Sequence, residues 1–149
     1  MSKIVETIKS LDIQTDVPVK TNIDGVSIFK GVSYAPRRPV MYDPGVCIML
    51  QGEKEISLGG VEYPYNEDNY LVVSVNVPLM AEIFATPESM VIGMAVDIDM
   101  AQLHDLISIV RHPFSLSENL NQYHPKAIEP ARMEPEMKHT IERMAGCLT

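Results

Sequence analysis

The chain has 149 residues, 46% hydrophobic and 21% charged, with a mean hydropathy of +0.02. That is the size of one ordinary domain with enough apolar content for a core, so neither disulfides nor metal are required for stability. Its 12 Lys and Arg stand against 20 Asp and Glu, and the net charge of -8 excludes the basic footprint that nucleic-acid binding needs.

Residues 1–16 place Ile4, Val5, Ile8 and Leu11 at helical spacing, interleaved with Lys3, Glu6, Lys9 and Asp12. They predict a short amphipathic arm and contain no apolar signal-peptide core. From residue 17 to residue 98 the pattern is that of strands. Asp24-Gly25 separates Val17–Ile23 from Val26–Val32, and Gly59-Gly60 separates Lys54–Leu58 from Val61–Tyr65. Both are two-residue turn signals, because turns that match strand twist need positive φ. Arg37-Arg38 before Pro39 reads as a solvated loop. Tyr70–Val77 is rich in β-branched residues and is bounded by Glu67-Asp68-Asn69 and Pro78. Leu79–Ala85 follows, then the turn Thr86-Pro87-Glu88, then Met90–Ile98. Roughly seven to nine short strands with turns every ~8–12 residues predict an antiparallel sandwich or barrel. In the last strand Ile92, Met94, Val96 and Ile98 share one face, and Val91, Gly93 and Ala95 the other. Both faces are apolar or small, as in a strand covered on each side. The longest apolar stretches, Val46–Leu50 and Met90–Val96, fall far short of the ~20 residues of a membrane span, so no membrane partner is expected.

Beyond Ile98 the period changes to that of a helix. Asp99 fits an N-cap with Gln102 three residues on, and Leu103, Leu106, Ile107 and Val110 form one stripe. Arg111 and His112 suit the negative end of that helix, and Pro113 ends it. A polar, proline-punctuated linker runs from Pro113 to roughly Pro130. In a second helix, Pro135 fits the first turn and Met133, Met137, Ile141, Met144 and Leu148 make the stripe. The first helix is expected against the barrel's edge. The second stripe has no remaining partner in the sequence and is expected at a homodimer interface, the alternative being that this helix folds back on the barrel and covers its mouth. The stripe runs to the last residue without a stop signal, which predicts a truncated helical segment.

Chemistry enters mostly by exclusion. The four histidines, His104, His112, His124 and His139, all lie beyond the strands, with no His-x-His pair and no strand carboxylate beside them. No barrel metal site and no other cofactor are therefore expected. Neither a Gly-x-Ser-x-Gly elbow nor a Gly-rich phosphate loop occurs, and no catalytic residue is assigned. Cys47 and Cys147 stand 100 positions apart and read as two reduced thiols of a cytoplasmic protein, Cys47 as a buried one. The ten methionines read as core or helix-interface filling. Polar residues on strands remain: Tyr42, Gln51, Tyr63, Tyr65, Tyr70 and Glu82. Either they point into a barrel and meet a small ligand, or the tyrosines hold their hydroxyls at the rim and Gln51 satisfies backbone near a turn. Tyr42, Gln51, Tyr70 and Glu82 are the candidate ligand-binding set.

Residues 42–54 (YDPGVCIMLQGEK), 58–65 (LGGVEYPY) and 70–78 (YLVVSVNVP) resemble, in order, the N-terminal domain of AraC/XylS-type transcriptional regulators. Ala85-Thr86-Pro87-Glu88 and Val96-Asp97-Ile98-Asp99 continue the likeness, which spans roughly residues 20–110. The resemblance implies a cupin-like antiparallel β-barrel or jelly roll followed by helices used in dimerisation. It also implies that DNA is read by a C-terminal pair of helix-turn-helix motifs, a region expected to be missing here. The expected organisation is an arm over 1–16, a barrel over 17–98 and a helical dimerisation segment over 99–149. The expected function is effector sensing by a small molecule in the barrel, relayed through a homodimer to the DNA-binding part. Two alternatives are a small cupin enzyme and a pure dimerisation module whose barrel is filled by its own side chains.

Overall fold

The computed structural model describes residues 2–109 and 126–148. The arm folds as helix α1 (Ser2–Ser10), with Ile4, Val5 and Ile8 on its buried face. Nine strands follow: β1 (Pro18–Lys20), β2 (Val26–Gly31), β3 (Ala35–Tyr42), β4 (Gly45–Gln51), β5 (Lys54–Leu58), β6 (Val61–Tyr63), β7 (Asn69–Val73), β8 (Val77–Ile83) and β9 (Val91–Asp97). Then come helix α2 (Met100–Ile109), a further strand β10 (Ile128–Arg132), helix α3 (Pro135–Met144) and a short 3-10 turn, Ala145–Cys147.

The strands form two sheets in which every pairing is antiparallel: a six-stranded sheet ordered β1-β2-β9-β4-β7-β10 and a four-stranded sheet ordered β3-β8-β5-β6. The sheets do not join into a hydrogen-bonded ring among the described residues. The expected mainly β, cupin-like architecture with C-terminal helices stands, in the two-sheet form of the barrel or jelly roll expected, with no closed barrel among the described residues.

Local chemistry explains the joints. Gly59 (φ 59°) and Gly60 (φ 81°) turn β5 into β6, a conformation that costs glycine nothing and a residue with a Cβ about 1 kcal/mol or more. Asp99 caps α2 as expected, its Oδ1 accepting from the N–H of Ala101 at 2.8 Å and of Gln102 at 3.2 Å. The Lys30 ammonium donates to the carbonyls of Lys9 and Leu11, fastening the end of α1 to β2.

Alternation along β4 and β9 sorts the core into two compartments. Ile48, Leu50, Ile92 and Met94 face the helices and pack with Ile4 and Ile8 of α1 and Ile141 of α3. Cys47, Met49 and Val91 face the other sheet and pack with Ile56, Leu71 and Leu79. Ile92 with Met94 and Val91 with Ala95 thus lie on opposite faces of β9, as its alternation predicts. Both faces of this central sheet are covered, and apolar burial at about 25 cal/mol per Å² acts on each.

Four expectations change. The arginine pair belongs to β3, at the edge of the smaller sheet, where Arg37 donates to the Ser57 hydroxyl and lies 3.9 Å from Glu62. Two prolines in β3 hid the strand, yet an edge strand needs only half its N–H groups paired. The run Tyr70–Val77 breaks at Ser74–Asn76 into β7 and β8, which lie in different sheets. The end of the expected linker is β10, which pairs with β7 from Ile128↔Val73 to Arg132↔Asn69, so the sheet is completed after residue 98.

The fourth change concerns the neighbours of the two helices within the chain. Met133, Ile141 and Leu148 are buried within the chain, and Met137 and Met144 pack partly against the same helix-side core. The partner that the sequence pattern does not reveal is α1 with the outer face of the six-stranded sheet. In α2, by contrast, Met100, Leu103, Leu106 and Ile109 are exposed. Val110 and the expected helix end at Arg111, His112 and Pro113 lie outside the described residues, as does His124.

Candidate functional site

A cavity of about 370 Å³ opens between the two sheets. One wall is the inner face of β2, β4 and β9, the other that of β3, β8 and the start of β5. Small residues make the room: Gly93 and Ala95 on β9 and Ala81 on β8 leave space where larger side chains would meet. Gly45 is required for a different reason, since a Cβ there would stand 2.6 Å from the Val96 carbonyl oxygen. The volume falls within the range of small-molecule sites.

Three polar side chains project inward. Tyr42 closes β3, and burial pushes its phenol well above the ordinary value of 10. Tyr65, only 5% exposed, is raised in the same way and for the same cause. Lys54 opens β5 on the same face as buried Ile56, so the alternation of that strand carries its ammonium inside. The Lys54 Nζ stands 3.9 Å from the centre of the Phe29 ring and 6.0 Å from that of Tyr65. Burial lowers its pKa from 10.5 to about 8, so it is still mostly charged at pH 7. Among the described residues, no carboxylate lies within ion-pair distance of it. Cys47 lines the same wall, its thiol pushed up to about 11 by burial, against which the nearby Lys54 charge acts.

The mouth is charged. Asp16 holds a left-handed backbone (φ 62°), and its carboxylate accepts from the N–H groups of Val32 and Ser33 and from the Ser33 hydroxyl. Burial tends to raise its pKa, and these hydrogen bonds outweigh that and lower it. Asp43, Asp97 and Arg38 are exposed members of the lining, with Asp43 accepting a bond from Asn76.

Of the four residues in the candidate set, Tyr42 alone lines this cavity. A bulge between Met49 and Gln51 sets Gln51 opposite Ile92, and its amide donates to the Met90 carbonyl at 2.8 Å, the backbone role weighed above. Tyr70 lies on the opposite face of the six-stranded sheet, against the helix-side core. Glu82 accepts a 2.7 Å bond from the exposed Tyr34 hydroxyl and does not line the cavity. Lys54 is absent from the candidate set because a lysine at a strand start reads as solvated; its spacing of two from buried Ile56 is the signal that finds it. Among the described residues no three His, Cys, Asp or Glu side chains gather as metal ligands. No helix among them is long and apolar enough to cross a membrane.

The chain is thus a two-sheet domain with an inter-sheet pocket and C-terminal helices. Residues 22–149 match the family model described as the AraC-type transcriptional regulator N-terminus, and the chain belongs to that family. Among solved structures it is similar to ToxT from Vibrio cholerae strain SCE256 bound to an unsaturated fatty acid (TM-score 0.64, 9% identity, 91% of this chain and 48% of that one). The apo form of ToxT K231A from that strain gives a TM-score of 0.60 at 8% identity, covering 87% of this chain and 50% of that one. ToxT from strain O395, bound to (E)-4-(8-methylnaphthalen-1-yl)but-3-enoic acid, gives 0.58 at 11% identity, with coverages of 82% and 47%. The chain thus spans about half the length of these structures, and the likeness at such identity concerns the fold. No curated protein matches the chain.

Proposed function

We propose that the chain is the effector-sensing and dimerisation part of an AraC-type regulator and that its effector binds in the inter-sheet cavity. The observation that carries this reading is a half-buried lysine facing an open cavity, with no carboxylate within ion-pair distance of it among the described residues, inside a fold whose family is regulatory. The apolar part of the walls is in contact with water while the open cavity is empty, and a ligand that covers it gains the hydrophobic contribution. The ligand-bound ToxT structures support the reading, since a small acid is bound in each. Effector binding favours one arrangement of sheet and helices over another, and the bias passes to a DNA-binding region. The homodimer forms through the exposed apolar residues of α2, a surface in place of the buried α3 stripe.

A thermal-shift screen of the purified chain against a broad metabolite library tests the sensing role. At least one compound is expected to raise the melting temperature in a concentration-dependent way. A stoichiometric transition metal with turnover would instead establish a cupin enzyme. No shift across the library would favour the pure dimerisation module.

A further inference from the structure

We propose that the effector is a small apolar molecule bearing a single carboxylate, and that Lys54 receives that carboxylate inside the cavity. The inference rests on the reading of the cavity as the effector site and names the chemistry of its occupant. A cation taken out of water costs several kcal/mol unless an anion or several dipoles replace its hydration. Among the described residues the neighbours of the Lys54 ammonium are ring faces, Phe29 at 3.9 Å and Tyr65 at 6.0 Å, with the protonated Cys47 thiol on the same wall and no carboxylate in reach. A ring face offsets part of the loss, about 0.5–2 kcal/mol, and leaves the charge without a hydrogen-bond acceptor. The acids of the cavity, Asp16, Asp43 and Asp97, do not fill that role, since none is within 4.0 Å of Nζ. Two of them are already engaged, Asp16 with the Val32 and Ser33 amides and Asp43 with Asn76.

The same three acids at the mouth set the charge of the guest. With Arg38 alone opposing them in the lining, they repel any anion, and more so a dianion; one carboxylate is matched by Lys54 once inside, whereas a second negative charge would be left uncompensated. Beyond the ammonium, the walls offered to the rest of the ligand are Phe29, Val40, Ile83 and Ala95. These have no charged groups and select an apolar body.

The test is titration calorimetry and thermal shift on the 149-residue chain with paired probes. Octanoate, decanoate, benzoate and cinnamate are each measured beside the corresponding primary amide. The expected result is that at least one acid binds about tenfold or more tighter than its amide, the size of one charge-assisted contact. Lys54→Met and Lys54→Gln, each checked for native circular dichroism, are expected to erase that preference. Amides that bind as tightly as the acids, or a preference that survives in either variant, would overturn the inference and leave the sensing reading standing. Absence of binding by every member of both series would likewise overturn the inference, and the metabolite-library screen then decides the sensing reading separately.

Discussion

Lys54 sets ligand chemistry and stability against each other. Its folded pKa of about 8 lies below the ordinary 10.5, so the unfolded chain holds the proton more tightly. The penalty is therefore fully present below pH 8 and fades as pH rises towards 10.5. Lys54→Met is expected to stabilise the chain at pH 7 by about 1–4 kcal/mol in urea denaturation, with the gap over wild type closing above pH 8. A variant less stable than wild type at pH 7 would contradict this. Cys47 titrates in the opposite sense: its stabilising contribution is complete below the ordinary 9 and is lost as pH rises to about 11. Because it is present in both proteins, it largely cancels in the difference. Buried and protonated at neutral pH, Cys47 is expected to resist iodoacetamide in the native chain while exposed Cys147 reacts. Mass spectrometry of the alkylated protein checks this, and labelling of Cys47 without denaturant would refute it.

The elements differ in how far their neighbours could be inferred from local pattern. The turn at Gly59-Gly60, the two faces of β9 and the Asp99 cap are determined within a few residues and stand where local pattern put them. At Gly25 the positive φ stands, but β1 ends at Lys20 and the loop spans residues 22–25 rather than two. The partner of the Met133–Leu148 stripe is not local. It is α1, more than a hundred residues earlier in the chain, and no periodicity within α3 reveals which apolar surface covers it. The same holds for β10, whose Pro130 reads as linker until Leu71 of β7 is placed opposite it. The site was partly legible for the same reason. Tyr42 and Lys54 belong to strands whose alternation points inward, whereas Gln51 was displaced by a bulge that leaves no mark in composition. These placements make the two helices experimentally separable. Ile141→Ala is expected to cost about 2–5 kcal/mol, because the side chain is only 1% exposed. Leu106→Lys on α2 is expected to change stability by no more than about 0.5 kcal/mol and to dissociate a dimer in sedimentation velocity. A dimer unaffected by Leu106→Lys would place the interface elsewhere.

At the scale of the whole molecule, the six-stranded sheet is shared by cavity and helices. Ala95 faces the cavity side, while its neighbours Met94 and Val96 pack towards α1 and α3. A ligand that tightens β9 thereby acts on the helix-side core without touching it. Hydrogen exchange is expected to slow in β9 and also in α3 when a ligand binds. Slowing confined to the strands would argue against transmission. Ala95→Phe fills the pocket with a phenyl ring and is expected to abolish the ligand-induced shift while the chain stays folded.

The shared sheet also constrains how the length of this chain can change. In β4 the residues serving the two compartments are in antiphase: Cys47 and Met49 for the cavity side, Ile48 and Leu50 for the helices. One residue inserted near Val46 would reverse the following side chains, driving isoleucine and leucine into the pocket and a thiol under the helices. Pairing with β7 and β9 on either side blocks the compensating slip that an edge strand allows. By contrast, an added glycine between Gly59 and Gly60, where a Cβ on either residue would meet nothing within 4 Å, disturbs neither face. Changes in length are thus confined to hairpin tips, and the central strands can evolve by substitution alone.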